Sequence, residues 1–475
     1  MKDLELIMTR TKYIVVGVFI VLGLVILHKY ITNPWLWHDE AGQFWISKGL
    51  GHQSPPISSP GGLWQVIVSN QSHNSDPGGF SVLLHFWLMI SNNYIFIRIL
   101  PLLFFFGFVY FFYKYLLVLT NNAFFSFFCA TLLFLLPLTV SRMVEIRAYS
   151  MELMGITWAM LLLHRCEKNN YSPKSLMFLS LCMALFCTSR WDYVIFAFVI
   201  GIYTFIKVIK TKTLIWKKLV VFCLPLLISV LCVIFITFLN QYQNPYLHKL
   251  DYLAYMSDDP SVFYHRLFLL FLFNTGVVLI SFYKKRTFTQ LQTISLMVPT
   301  MFVILSLMGK YPWDKVRTIA VVIFLILNLT NEVYHIVNLK KRTYLADYIR
   351  IPLVMIIWHF IYGFVSYPGG DRLPEYDSFK YAVNHKESKV MYVDWWFSPS
   401  LRYMYEYGPY KDRAQTDDYP GSFRFQELID VQTREKTAVL PRQTDAEIFM
   451  LHHDEYGEDI SILNLSNVYP WVFIK

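Results

Sequence analysis

The sequence predicts a polytopic α-helical membrane protein of about eleven transmembrane helices, with interfacial helices in its first outer loop and a small C-terminal α/β domain. Three observations predict it. Of 475 residues, 55% are hydrophobic, 18% aromatic and only 16% charged, far more apolar than a soluble average. Apolar runs long enough to cross a bilayer recur along the chain, beginning with Tyr13 to Ile31. The formal charge of +9 is spread in short clusters between these runs, which reads as membrane topology and not as a nucleic-acid-binding stripe.

The first run follows Lys2, Arg10 and Lys12. Its length, and the lack of a small-residue cleavage site after it, favour a first transmembrane helix over a signal peptide. The expected spans are 12–31, 95–117, 123–142, 148–165, 174–189, 193–209, 218–239, 263–283, 289–308, 316–336 and 350–367. With the N-terminus inside, the inner loops hold Lys207 to Lys218, Lys284-Lys285-Arg286 and Lys340-Lys341-Arg342, the positive-inside arrangement. The six cysteines lie in or beside apolar runs, so neither a disulfide framework nor a zinc site is expected.

The first outer loop, roughly 32–94, opens with Asn33-Pro34-Trp35-Leu36-Trp37-His38-Asp39-Glu40-Ala41. Three stretches within it, near 41–46, 63–68 and 80–90, are apolar but too short to span, and are expected as amphipathic helices in the interface. Later outer turns carry Arg142, Glu145 and Arg147, then Arg190 and Asp192, then Lys310 to Arg317. After Tyr367-Pro368-Gly369-Gly370 the chain turns polar. This divides it into a membrane domain, 1–370, and an outer domain, 371–475. Val390 to Val393 and Ile448 to Leu451 read as strands, with a helix over Ser400 to Tyr407 between them.

Four local features together resemble the GT-C membrane glycosyltransferases, most nearly the protein-mannosyltransferase and aminoarabinose-transferase-like branch. They are Asp39-Glu40 after the first helix; Asp76-Pro77-Gly78-Gly79-Phe80 with Ile97-Arg98-Ile99-Leu100-Pro101 beyond it; Glu145-x-Arg147-x-Tyr149; and the basic Lys310 to Arg317 before a late helix. The family often has His-Pro-Pro where this chain has Asp-Pro-Gly. The likeness covers roughly residues 10–335 and leaves the tail aside.

The resemblance implies transfer of a sugar from a polyprenyl-phosphate lipid to an acceptor at the outer face of a bacterial cytoplasmic membrane. Such a reaction needs a carboxylate to take the acceptor's proton and positive charge to stabilise the departing phosphate. Asp39 is the implied base, with Glu40 orienting it or binding the acceptor. Arg147 is the first choice for the donor phosphate, because a guanidinium grips phosphate oxygens in a fork. Lys310 and Arg317 are second choices, and Asp76, Arg190 and Asp192 are expected to support the acceptor or the loop. Solvated or capping roles for the acid pair, and a simple Arg147–Glu145 ion pair, are the competing readings. No resident cofactor is implied, although some members of the family use a divalent ion, round which Asp39, Glu40 and Asp76 could gather. The loop 240–260 is expected to order over bound lipid. A surface-polysaccharide polymerase or ligase, a lipid-linked sugar flippase, and a non-enzymatic scaffold presenting the tail are the alternatives.

Overall fold

The computed structural model describes residues 2–51, 59–74, 76–135, 139, 142–242, 260–285, 287–308, 319–337, 343–365, 391–394, 398–409, 426–428, 449–453 and 460–464. The chain is predominantly α-helical and apolar in the manner of a membrane-embedded protein. In order the helices are α1 (Lys2–Ile31), α2 (His38–Ser47), α3 (Leu63–His73), α4 (Gly79–Leu88), α5 (Tyr94–Thr120), α6 (Ala123–Leu132), α7 (Tyr149–Lys168), α8 (Pro173–Phe186), α9 (Trp191–Lys210) and α10 (Ile215–Val233). A π-helical segment, Ile234–Phe238, joins α10 to the short α11 (Leu239–Tyr242). Then come α12 (Pro260–Lys285), α13 (Gln290–Leu307), α14 (Ile319–Ile336) and α15 (Thr343–Val365).

A helix falls on each of the eleven apolar stretches and on the three short ones of the first loop. Among the described residues, three helical stretches are long and apolar enough to cross a membrane: Tyr94–Thr120, Trp191–Lys210 and Ile215–Gln241. Along the last of these, Trp216, Val220, Leu224, Leu227, Leu231 and Phe235 are exposed at helical spacing. A stripe of that length is what a helix facing lipid leaves bare. Several boundaries differ from expectation: α1 begins at Lys2 where 12 was expected, and α15 at Thr343 where 350 was expected. The helix expected over 123–142 ends at Leu132.

The chain forms two compact units. The first comprises Met1–His28, Asn70–Phe80 and Leu100–Ser366. Its core contains α14, buried without a break from Val321 to Val333. One end of α14 is polar and tied to its neighbours. Asn328 donates to Asn274 Oδ1 on α12 at 2.8 Å, and Glu332 accepts from Gln292 on α13 at 2.7 Å. Thr330 accepts from the Trp358 indole of α15 at 3.1 Å. In an apolar surround such bonds fix which helices neighbour one another and in what register. Local capping sets other helix starts. Ser172 accepts from the Ser175 N–H ahead of Pro173 in α8, and Asn122 from the Phe125 N–H in α6. Asn122 also donates to Asp347 of α15, which pairs with Arg350 at 3.2 Å.

The second unit comprises Lys29–Ser69, Ser81–Ile99 and Tyr367–Lys475. The tail is therefore grouped with most of the first loop, although the expected boundary at residue 370 lies close to where its last segment begins. Here β1 (Met391–Asp394), α16 (Ser398–Glu406), β2 (Gln426–Leu428), β3 (Phe449–His453) and β4 (Ile460–Asn464) follow in order. The sheet order is β2-β1-β3-β4. β1 runs parallel to both neighbours, pairing Tyr392 with Gln426 and with Met450. β3 and β4 are antiparallel, with Leu451 opposite Ile462. The parallel β1–β2 pair with α16 between them in sequence is a βαβ connection.

Candidate functional site

Two clusters of charge stand out, one in each unit. In the second unit the loop before α2 is drawn tight. Asn33 Oδ1 accepts the Trp35 N–H at 3.0 Å, and Glu40 Oε2 reaches back to the Trp37 N–H at 3.4 Å. That is the return half of a capping box. Glu40 is fully buried and lies 3.3 Å from Arg98 Nη2. Arg98, itself buried, also donates to the carbonyls of Trp35 at 2.8 Å, Tyr30 at 3.1 Å and Asn33. One guanidinium from α5 thus gathers the whole turn from Tyr30 to Glu40. The Glu40 carboxylate is committed to this turn. Asp39 beside it is half-buried and keeps part of its surface.

In the first unit the centre is Arg190, buried at the start of α9. Its Nε lies 3.2 Å from Glu152 Oε2 and 3.3 Å from Asp192 Oδ2, and its Nη1 is 3.4 Å from Asp76. Burial alone would lower the Arg190 pKa. The carboxylate of Asp76, then Tyr149, Asp192 and Glu152, outweigh burial and hold it well above the ordinary range. Asp76 is shared with Arg147, whose Nη2 lies 3.7 Å away. Arg142 pairs with Glu145. All three guanidinia surround one ring, that of Tyr149, at 4.1 Å for Arg190, 4.4 Å for Arg142 and 5.5 Å for Arg147. The ring face attracts each cation, and the carboxylates between them offset their repulsion. Arg147 is the most exposed of the three, its side chain 14% accessible against 8% and 5%.

The Asp76 turn is held from several sides. The Asp76 carbonyl accepts from Asn70 and from Gln241, each at 3.0 Å, and Gln241 also reaches the Asn74 carbonyl at 2.7 Å. Thr237 donates to the Pro77 carbonyl at 2.9 Å. Thr237 lies in the π-helical segment and Gln241 in α11 just beyond it, and the widened turn alters which side chains face inward. Gly78 has φ +100°, which only glycine adopts without strain, and the Gly79 N–H donates to the Thr188 carbonyl at 2.9 Å. A Cβ on Gly79 would sit 2.8 Å from that same carbonyl oxygen. Gly79→Ala is therefore expected to cost about 1–3 kcal/mol, read as a lower unfolding temperature of the purified protein. An unchanged temperature would show that the turn yields freely.

Of the residues singled out from sequence, Asp76, Arg147, Arg190 and Asp192 come together in the first unit. Asp39 and Glu40 belong to the second unit. Lys310, Arg317 and most of the loop 240–260 lie outside the described residues. Among the described residues, no three His, Cys, Asp or Glu side chains are placed to hold a metal ion. Sequence reasoning missed Glu152 and Tyr149 as members of the Arg190 cluster, and Arg98 as the partner of Glu40. For Glu152 and Arg98 the signal available was an ionisable residue within an apolar helix, which rarely lacks a paired role. No protein-family model matches the chain, and no curated protein resembles it significantly.

Proposed function

We propose that the protein is an integral membrane glycosyltransferase that moves a sugar from a polyprenyl-phosphate donor to an acceptor at the outer face of a bacterial cytoplasmic membrane. The reading takes the eleven apolar helices as spans, with the N-terminus inside and the C-terminal α/β segment outside. One observation carries it: three guanidinia converge on the Tyr149 ring beside the turn that opens α7, and the most accessible of them, Arg147, is held at 3.7 Å from Asp76. A fork-shaped cation fixed at the end of an apolar helix suits a phosphate that arrives on a lipid.

In the proposed reaction an acceptor oxygen attacks the anomeric carbon and the bond from that carbon to the donor phosphate oxygen breaks. The bonding pair leaves with the phosphate, and Arg147 stabilises the charge that grows there. Asp39 takes the acceptor's proton. Glu40 orients the turn through Arg98 and does not touch the reactants. Arg190 holds Asp76, and through it Arg147.

The test is a transfer assay on the purified full-length protein with a panel of polyprenyl-phosphate sugars. One donor of the panel is expected to be consumed. Arg147→Ala is expected to lower kcat/KM for that donor by about 10–100-fold, the worth of one hydrogen bond to a charged group. Arg147→Lys restores only part of it, because an ammonium lacks the fork. Absence of transfer from every donor, or an unchanged kcat/KM in Arg147→Ala, rejects the reading.

A further inference from the structure

The C-terminal helix α16 makes contacts that a merely tethered outer domain would not need. It lies along α2, the helix that carries Asp39 in its first turn. The Trp45 indole N–H donates to the Pro399 carbonyl at 3.0 Å. The Arg402 guanidinium lies 3.7 Å from the centre of the Trp45 ring, and its Nε donates to Glu406 at 2.7 Å. Arg402 also reaches the Gly51 carbonyl at 3.5 Å, just beyond the C-terminal end of α2. Phe44 meets Tyr403 edge-on at 4.9 Å, and the Tyr403 hydroxyl donates to the Asn92 carbonyl at 3.0 Å.

These contacts bury the whole face of α2 on which Phe44 and Trp45 lie; both side chains are fully inaccessible, as is Tyr403. A ten-residue helix is too short to be stable by itself, so its position must come from what it packs against. Its first turn is fixed by Arg98, and its later part by α16 together with α4, where Gln43 donates to Ser81 at 2.8 Å and His85 Nδ1 lies 2.8 Å from the Ser47 carbonyl.

We infer that α16 is a clamp on α2, and that Arg402 and Trp45 are positioning residues which hold Asp39 through that helix. The C-terminal segment is then part of the catalytic element and not an appended module. The inference rests on the proposed reading of Asp39 only for its catalytic consequence. The clamp itself is a statement about α2.

Hydrogen–deuterium exchange on the full-length protein separates the two. In Arg402→Ala, exchange of the amides of α2 is expected to rise about tenfold, the scale of one lost cation–π contact on a locally opening helix, while α7 and α9 keep their protection. Arg402→Lys is expected to recover most of it. With an active donor, Arg402→Ala lowers kcat and leaves the donor KM unchanged. An α2 exchange rate equal to wild type overturns the clamp. So does a rise spread equally over α7 and α9, since the contact would then serve the whole fold. If Arg402→Ala yields no folded protein, Trp45→Phe decides, deleting the indole N–H that donates to Pro399: faster exchange confined to α2 supports the clamp, and an unchanged rate rejects it. Retained transfer in Asp39→Asn would remove the proposed base while leaving the exchange result standing.

Discussion

Replacing Asp39 by Asn is expected to lower turnover by about 10²–10⁴-fold, the usual contribution of a positioned general base, with little change in stability. The two halves of that expectation come from different observations. Asp39 sits in the first turn of α2, half-buried, on a helix whose start is tied down by its neighbour. Asn keeps the shape and the polarity but cannot take a proton. Glu40→Gln is the contrasting variant. It keeps an acceptor for the Trp37 N–H but leaves the buried Arg98 without a counter-charge. Breaking such a pair costs about 3–5 kcal/mol, so Glu40→Gln should show itself in the unfolding transition. Transfer rates and thermal unfolding measured side by side on both variants make the check. Wild-type turnover in Asp39→Asn would remove the base from the mechanism.

Arg190→Met is expected to be the most destabilising single change in the first unit. The methionine fills a similar volume but leaves Asp76, Glu152 and Asp192 buried with their shared cation gone. The loss is expected to be at least about 3–5 kcal/mol, enough to unfold many proteins outright. Adding Glu152→Gln and Asp192→Asn to the same chain removes two of the stranded acidic groups and should recover much of the loss. Residues that share one partner couple in this way. Unfolding of the detergent-solubilised variants measures both effects. An Arg190→Met protein as stable as wild type would mean that the carboxylates are not charged in the folded chain.

The helices were largely legible because length and apolarity decide them, and neither depends on knowing the neighbours. The clusters were legible only in part. Asp76, Arg147, Arg190 and Asp192 are each visible as polar groups at helix ends, but residues so far apart in sequence meet only when the helices are packed. Glu152 was passed over because it sits one turn inside α7 among apolar residues. Glu40 illustrates a finer loss. Successive residues of a helix point about 100° apart, so adjacent carboxylates have different surroundings. Glu40 shares its face with Phe44, four residues on, and is buried with it, whereas Asp39 is turned aside. That spacing is present in the sequence, yet the likeness of the two side chains invites reading them as a pair.

The π-helical segment at the end of α10 makes that helix sensitive to its length. Thr237 and Gln241 reach the Asp76 turn because the widened stretch Ile234–Phe238 sets the rotation of everything beyond it. Deleting one residue upstream, anywhere along the lipid-facing stripe, would swing both side chains round by about 100° and unhook the turn. Substitutions along that stripe can be exchanged freely among apolar types, but insertions and deletions there are excluded, so relatives of this chain should vary in the composition of α10 and agree in its count of residues.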